Sequence, residues 1–181
     1  EADLTVTRIA EDEYLVVTAG ASQRRDFHWL KTSIQSNERA WVTDVTAGYG
    51  VLSVMGPQSR DLLTQLTPAD LTNGVFGCGQ SKEIEMGYGM VRASRISYVG
   101  ELGWELYVPS DIALGIFDLL LEAGEAFGLK LAGLHALNSL RIEKAYRHWG
   151  HDIGPEDNPL QAGLGFAVDW DKAAGFRGRE A

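Results

Sequence analysis

Cysteine is almost missing from this chain: among 181 residues there is one, Cys78. No disulfide can form within the chain, and a reducing compartment fits, either cytoplasmic or the mitochondrial matrix. Cys78 lies in Gly77-Cys78-Gly79 with no cationic cluster beside it in sequence, so it reads as a small turn residue rather than a reactive thiol. Long apolar runs are missing too. None approaches the roughly 20 residues that span a bilayer, and no signal peptide is recognisable. Basic residues are outnumbered, 16 against 25 acidic, for a net charge of −9. Such a surface repels phosphate backbones, so a nucleic-acid partner is not expected.

Nucleotide fingerprints are also incomplete. Gly77-x-Gly79 is followed by Lys82 and Gly87-x-Gly89 by Arg92, where a dinucleotide-binding loop needs a third glycine. There is no Walker loop and no Gly-x-Ser-x-Gly elbow. His148, His151 and Asp152 lie close in sequence, but a structural zinc site needs a further ligand, and Cys78 is the only thiol. No metal is expected.

What is present is the composition of an ordinary globular protein, 45% hydrophobic and 23% charged, on a chain long enough to bury a core. Alternation predicts strands from Asp3 to Ile9, over Tyr14–Thr18, over Trp41–Val45 and over Tyr49–Met55. A helical pattern runs from Ser22 to about Ser36 with Phe27, Leu30 and Ile34 on one face. A second helix follows Gly56-Pro57, with Leu62, Leu63 and Leu66 as its stripe. The stretch from Thr67 to Gly79 is rich in turn residues and suggests a boundary between a first lobe, residues 1–72, and a second, residues 73–181. Beyond it the pattern gives a strand over Lys82–Met86 and a helix from Pro109-Ser110-Asp111 to about Gly124. A last helix runs from Leu134 to Tyr146, with Leu134, Leu137 and Leu140 facing inward, and Phe166–Val168 reads as a short strand. The fold class is α+β, antiparallel sheets with helices packed on them.

The most informative stretch is Tyr98-Val99-Gly100-Glu101-Leu102-Gly103-Trp104-Glu105-Leu106-Tyr107-Val108. Strand formers flank two glycines, which predicts a hairpin of Val91–Tyr98 and Trp104–Val108. Trp104, Leu106 and Val108 share one face, with Glu105 and Tyr107 on the other. Pairing would bring Tyr98 near Glu105. From spacing alone, Glu105 is either a surface residue beside a structural hairpin or a carboxylate with donors to meet.

The wording Tyr-x-Gly-Glu-x-Gly-x-Glu resembles the signature of the folate-binding aminomethyltransferases, the glycine-cleavage T-protein family. It is most similar to the branch fused behind FAD-dependent dimethylglycine and sarcosine dehydrogenases. The resemblance implies a two-lobed T-protein-like fold and tetrahydrofolate as ligand. It assigns Glu105 to the pterin ring and sets Tyr98 alongside. A pterin edge offers a ring N–H beside an exocyclic amine, and one carboxylate can accept both. Ala2-Asp3-Leu4-Thr5-Val6 resembles the family's Asp-Asp-Leu-x-Val segment, which makes Asp3 the catalytic carboxylate and Tyr14 a folate contact. Gly133-Leu134 to Leu140-Arg141-Ile142-Glu143 resembles a family helix whose second Arg is Arg141. The resemblance sets Arg141 at the folate site, while an ion pair with Glu143 or an acidic loop is the alternative. Leu137 replaces the helix's first Arg, so that contact is not carried over. Gly150-His151-Asp152-Ile153 and Pro159-Leu160-Gln161-Ala162-Gly163-Leu164 resemble two further loops, with Gln161 for a Glu.

Carried through, the resemblance implies capture of the one-carbon unit of an N-methyl-amine-derived iminium, giving 5,10-methylenetetrahydrofolate. FAD would belong to a covalently linked dehydrogenase domain preceding this chain, and a β-barrel lobe would follow it. The alternatives are a glycine-cleavage-type aminomethyltransferase and a non-catalytic folate-binding module.

Overall fold

The computed structural model describes residues 2–176 and 178–180. These fall into two compact units, Leu4–Tyr146 and, separately, residues 2–3 with those from Arg147 onward.

The larger unit contains two antiparallel sheets. In the first, β1 (Leu4–Arg8) pairs with β2 (Tyr14–Thr18), Leu4 opposite Thr18 and Arg8 opposite Tyr14. The second has the order β3-β6-β5-β4, formed by β3 (Tyr49–Met55), β4 (Ser81–Met86), β5 (Gly89–Ser94) and β6 (Gly103–Pro109). The turn-rich stretch around residues 67–79 separates β3 from β4 in sequence, and the sheet joins both sides of it through seven paired positions of β3 and β6.

One face of this sheet is the core. Trp104, Leu106 and Val108 are fully buried with Val91, Ala93, Ile84 and Met86, as the alternation predicts. Burying Leu106 and Val108 stabilises the sheet by roughly 1.5–3 kcal/mol each. Two helices cover the face: α2 (Ser59–Leu63), through Leu62 and Leu63, and α3 (Ala113–Gly124), through Ile116 and Leu120. Trp104 meets the edge of Phe76, and the guanidinium groups of Arg60 and Arg95 lie 5.7 and 5.6 Å from its ring centroid. Gly103 is set by close approach, since a methyl group there would lie 2.9 Å from the Val54 carbonyl oxygen.

Helix α1 (Gln23–Ser33) buries a carboxylate rather than an apolar stripe. Phe27, Leu30 and Ile34 are half-buried, while Asp26 is buried and accepts from the Thr18 hydroxyl and, at 2.8 Å, from Arg25. The strand expected over Trp41–Val45 does not form. Trp41 is 82% exposed, and the segment is held by side chains, Gln23 donating to Asp44 and the Asp44 carboxylate accepting the Thr46 N–H. Its alternation finds no partner strand among the described residues, and a strand without a ladder leaves its backbone groups to water.

Helix α4 spans Leu134–Glu143 and turns a different face inward from the one expected. Leu134 is 67% exposed and Leu140 39%, while Arg141 is 1% exposed. The helix ends in a reciprocal pair of backbone bonds, Tyr146 N–H to the Arg141 carbonyl and Ala145 N–H to that of Ile142. Ala145, at φ 57°, occupies the left-handed position where such a cap usually carries glycine.

In the smaller unit, turns predominate. Asn158 and Gln161 cap each other's backbone N–H groups. Phe166 lies in a single 3-10 turn, Gly165–Ala167, and is 87% exposed, so the short strand expected there is absent.

Candidate functional site

The second face of the four-stranded sheet is polar. In register across it stand Ser53 of β3, Glu105 of β6, Ser94 of β5 and Ser81 of β4. The neighbouring row is Val51, Tyr107, Arg92 and Glu83. Ser94 donates to the Ser81 hydroxyl at 2.9 Å, and Arg92 reaches Glu83 at 3.1 Å. Glu105 is half-buried, and the Tyr107 hydroxyl donates to its Oε2 at 2.6 Å. Burial first, then the bond to Glu105 and its charge, push the Tyr107 phenol well above the ordinary tyrosine range. Among the described residues Glu105 has no ion-pair partner, so its carboxylate keeps acceptor capacity for a ligand.

Two cavities lie between the β1–β2 pair and this face. One, of about 390 Å3, is lined by Thr5–Arg8 of β1 and by Ser81, Ser94 and their neighbours. The other, of about 320 Å3, lies under Ile9, Ala10, Glu13 and Leu15 and reaches Tyr49, Arg92 and Tyr107. Glu105 lines neither. It stands between Ser94, which borders the first cavity, and Tyr107, which borders the second.

The register corrects one expectation. Ser94, not Tyr98, is the strand neighbour of Glu105. Strand β5 ends at Ser94, and residues 95–102 form a loop in place of a tight hairpin. That loop is pinned at both ends. The Arg95 N–H bonds the Gln80 carbonyl, and the Leu102 carbonyl accepts from Gly56 N–H at 2.8 Å and the Ser59 hydroxyl at 2.9 Å. Its middle rests on the end of α4. Gly100, at φ 72°, admits the stem of Lys144, whose ammonium meets Glu101 at 3.3 Å. Tyr98 stacks on Tyr146, centroids 6.4 Å apart and planes 26° from parallel.

Arg141 belongs to the same brace. Its Nε donates to Asn138 at 3.0 Å, and another guanidinium N–H donates to the Tyr146 carbonyl at 2.8 Å. The structure thus joins Tyr98 and Arg141 through Tyr146. Tyr14 stands at the start of β2 opposite Arg8, 54% exposed. Asp3 is exposed, immediately precedes β1 and belongs to the smaller unit. Sequence reasoning set Tyr107 on the face of Glu105 by its i+2 spacing but missed Ser53 and Ser94, which needed the register. His148, His151 and Asp152 cluster in the smaller unit, His151 Nδ1 lying 3.1 Å from Asp152. Among the described residues no group of three or more His, Cys, Asp or Glu could hold a metal, and no helix is long and apolar enough to cross a membrane.

Comparison with known proteins adds what the geometry alone cannot. The family model described as GCVT N-terminal domain matches residues 1–172. The chain belongs to that family. Similar curated proteins include 4-methylaminobutanoate oxidase (formaldehyde-forming) of Paenarthrobacter nicotinovorans, 45% identical over all of this chain and 22% of the relative. Human mitochondrial dimethylglycine dehydrogenase is 38% identical over 99% of this chain and 21% of the relative. An aminomethyltransferase of Halothermothrix orenii is 38% identical over 99% of this chain and 49% of the relative. The chain thus spans about a fifth of the two oxidoreductases and about half of the aminomethyltransferase. Among solved structures, heterotetrameric sarcosine oxidase from Corynebacterium sp. U-96 matches with a TM-score of 0.59 at 22% identity. The match covers 73% of this chain and 65% of that one. This GCVT chain therefore has the α+β fold of that protein, which the family resemblance implied.

Proposed function

We propose that this chain is a tetrahydrofolate-binding aminomethyltransferase module. It captures the one-carbon unit of an iminium formed by oxidation of an N-methylglycine, dimethylglycine or sarcosine, and gives 5,10-methylenetetrahydrofolate. Membership of the GCVT family over residues 1–172 supports the class of activity. The observation that carries the ligand assignment is Glu105, a half-buried carboxylate with no ion-pair partner among the described residues, flanked by two serines on the second face of the sheet.

The donor and acceptor set fits the ligand. A pterin edge needs a paired acceptor, which Glu105 is, and its ring needs flat apolar contact, a part we give to Tyr98, whose ring stacks on Tyr146. Tetrahydrofolate, when bound, supplies the nitrogens that take up the one-carbon unit. Glu105 holds the heterocycle by its edge, and Tyr98 and Tyr14 contribute ring contacts. Arg141 acts from behind, fixing Tyr146 and through it Tyr98. Asp3 stabilises the positive charge that develops on a nitrogen attacking an iminium carbon, and guides its proton away. The oxidation that makes the iminium belongs to a covalently linked flavin domain, a reading supported by the chain spanning about a fifth of its two oxidoreductase relatives. The setting is cytoplasmic or the mitochondrial matrix.

The test is a pair of substitutions in the full-length protein. Glu105→Gln should raise the Kd for tetrahydrofolate at least tenfold, because a charged acceptor for two donors is lost. Asp3→Asn should leave that Kd within about twofold while the one-carbon unit escapes as trapped formaldehyde. Absence of saturable tetrahydrofolate binding would sink the assignment. A second reading, a non-catalytic folate-binding module, is favoured by Asp3 being exposed with no hydrogen-bond partner among the described residues. Unchanged transfer in Asp3→Asn, with folate still bound, would select it.

A further inference from the structure

The geometry points to Tyr107 as a positioning residue that fixes the plane of the Glu105 carboxylate, so that its oxygens present one ready-made edge to a ligand with two adjacent N–H donors. The inference rests on the reading of Glu105 as the ligand's acceptor and adds to it the group that orients that acceptor. Residues two apart on a strand project from the same face, and here the tyrosine is the fixed partner. Tyr107 is 5% exposed, packed between Val51 and Arg92 in the register, while Glu105 is half-buried at the end of a flexible stem. Its hydroxyl reaches Oε2 at 2.6 Å. A carboxylate already held in one orientation has less rotamer freedom to lose when a ligand arrives.

The bond leaves the acceptor usable. A phenol donates one hydrogen, so Oε2 keeps a lone pair and Oε1 has no donor among the described residues. Three charged or titratable groups lie near the pair besides Glu83. Arg92 pairs with Glu83, and Glu13 and Tyr49 line the cavity that Tyr107 borders. Among the described residues no guanidinium pairs with Glu105. The carboxylate is therefore presented by a neutral donor, which suits a neutral amide-and-amine edge rather than a cation.

The experiment compares two ligands on the full-length protein: tetrahydrofolate, and its 2-desamino analogue, which lacks one of the two donors. Tyr107→Phe keeps the ring and its packing. It is expected to weaken tetrahydrofolate binding about tenfold, to change binding of the 2-desamino analogue less than twofold, and so to collapse the preference between them. A purely structural role would lower both affinities together and leave the ratio intact, and that result overturns the inference. So does a Tyr107→Phe protein with affinity and ratio both unchanged while Glu105→Gln binds poorly. If Glu105→Gln itself binds tetrahydrofolate normally, the reading of Glu105 fails, and the inference about Tyr107 falls with it.

Discussion

Between Val54 and Leu120 lie all the buried apolar side chains among the described residues apart from Ala162, whereas β1, β2 and α1 bury a single side chain, the carboxylate of Asp26. The sheet is held by apolar area, whose contribution does not depend on protonation. The β1–β2–α1 segment is held by a buried hydrogen-bonded charge, whose worth depends on its protonation. The two regions also carry different parts of the proposed site. Glu105 stands on the cored sheet, and Tyr14 on the thinly packed pair. In the proposed reading the pterin acceptor thus stands on the sheet with the apolar core, and the Tyr14 contact on a strand pair that buries no side chain of its own.

The comparison is broken most directly at Trp104. Trp104→Ala should cost about 3–5 kcal/mol of stability by urea unfolding, because the ring is fully buried against Phe76, Arg60 and Arg95. A cost no larger than that of Trp29→Ala, a residue 58% exposed, would show that the core is not where the energy lies.

Asp26→Asn should cost about 1–2 kcal/mol, and amide exchange should rise in β2 and α1 before the four-stranded sheet. The Arg25 side chain and the Thr18 hydroxyl hold this carboxyl below its usual 3.8, against the opposing effect of burial. A carboxyl lowered on folding contributes stability that is complete above pH 3.8 and lost as pH falls further. Acid should therefore loosen α1 ahead of the sheet, and the Asn variant should show no such acid step. Simultaneous loss of protection in both regions would merge them into one cooperative unit. The smallest effect belongs to Trp41→Ser. With the ring 82% exposed, the change in stability should stay within about 0.5 kcal/mol in the same unfolding assay.

Local pattern carried much of this fold. Alternation located β2 and β3 at the observed bounds and β4 and β6 to within a residue, each of them paired along its length in an antiparallel ladder. It failed where other contacts decide the structure. Trp41–Val45 alternates convincingly and forms no strand, and α4 turns Arg141 inward where leucines were expected. An arginine can be buried when its donors find the Tyr146 carbonyl and Asn138, and periodicity is blind to that. The placement of Glu105 and Tyr107 on one face was legible from their spacing. The identity of Glu105's neighbours was not. It depends on where β5 ends, which tertiary pins at Gln80 and Gly56 decide.

Gly100 shows how a ligand-associated phrase can be written partly by something else. Any side chain at this position would have to evict the aliphatic stem of Lys144, a residue 44 positions further along, and with it the contact to Glu101. The letter G between tyrosine and glutamate thus records two demands at once, a left-handed backbone and the girth of a passing lysine. Recasting that lysine as a slimmer residue should lift only the second, leaving position 100 open at most to asparagine or aspartate, which tolerate that backbone.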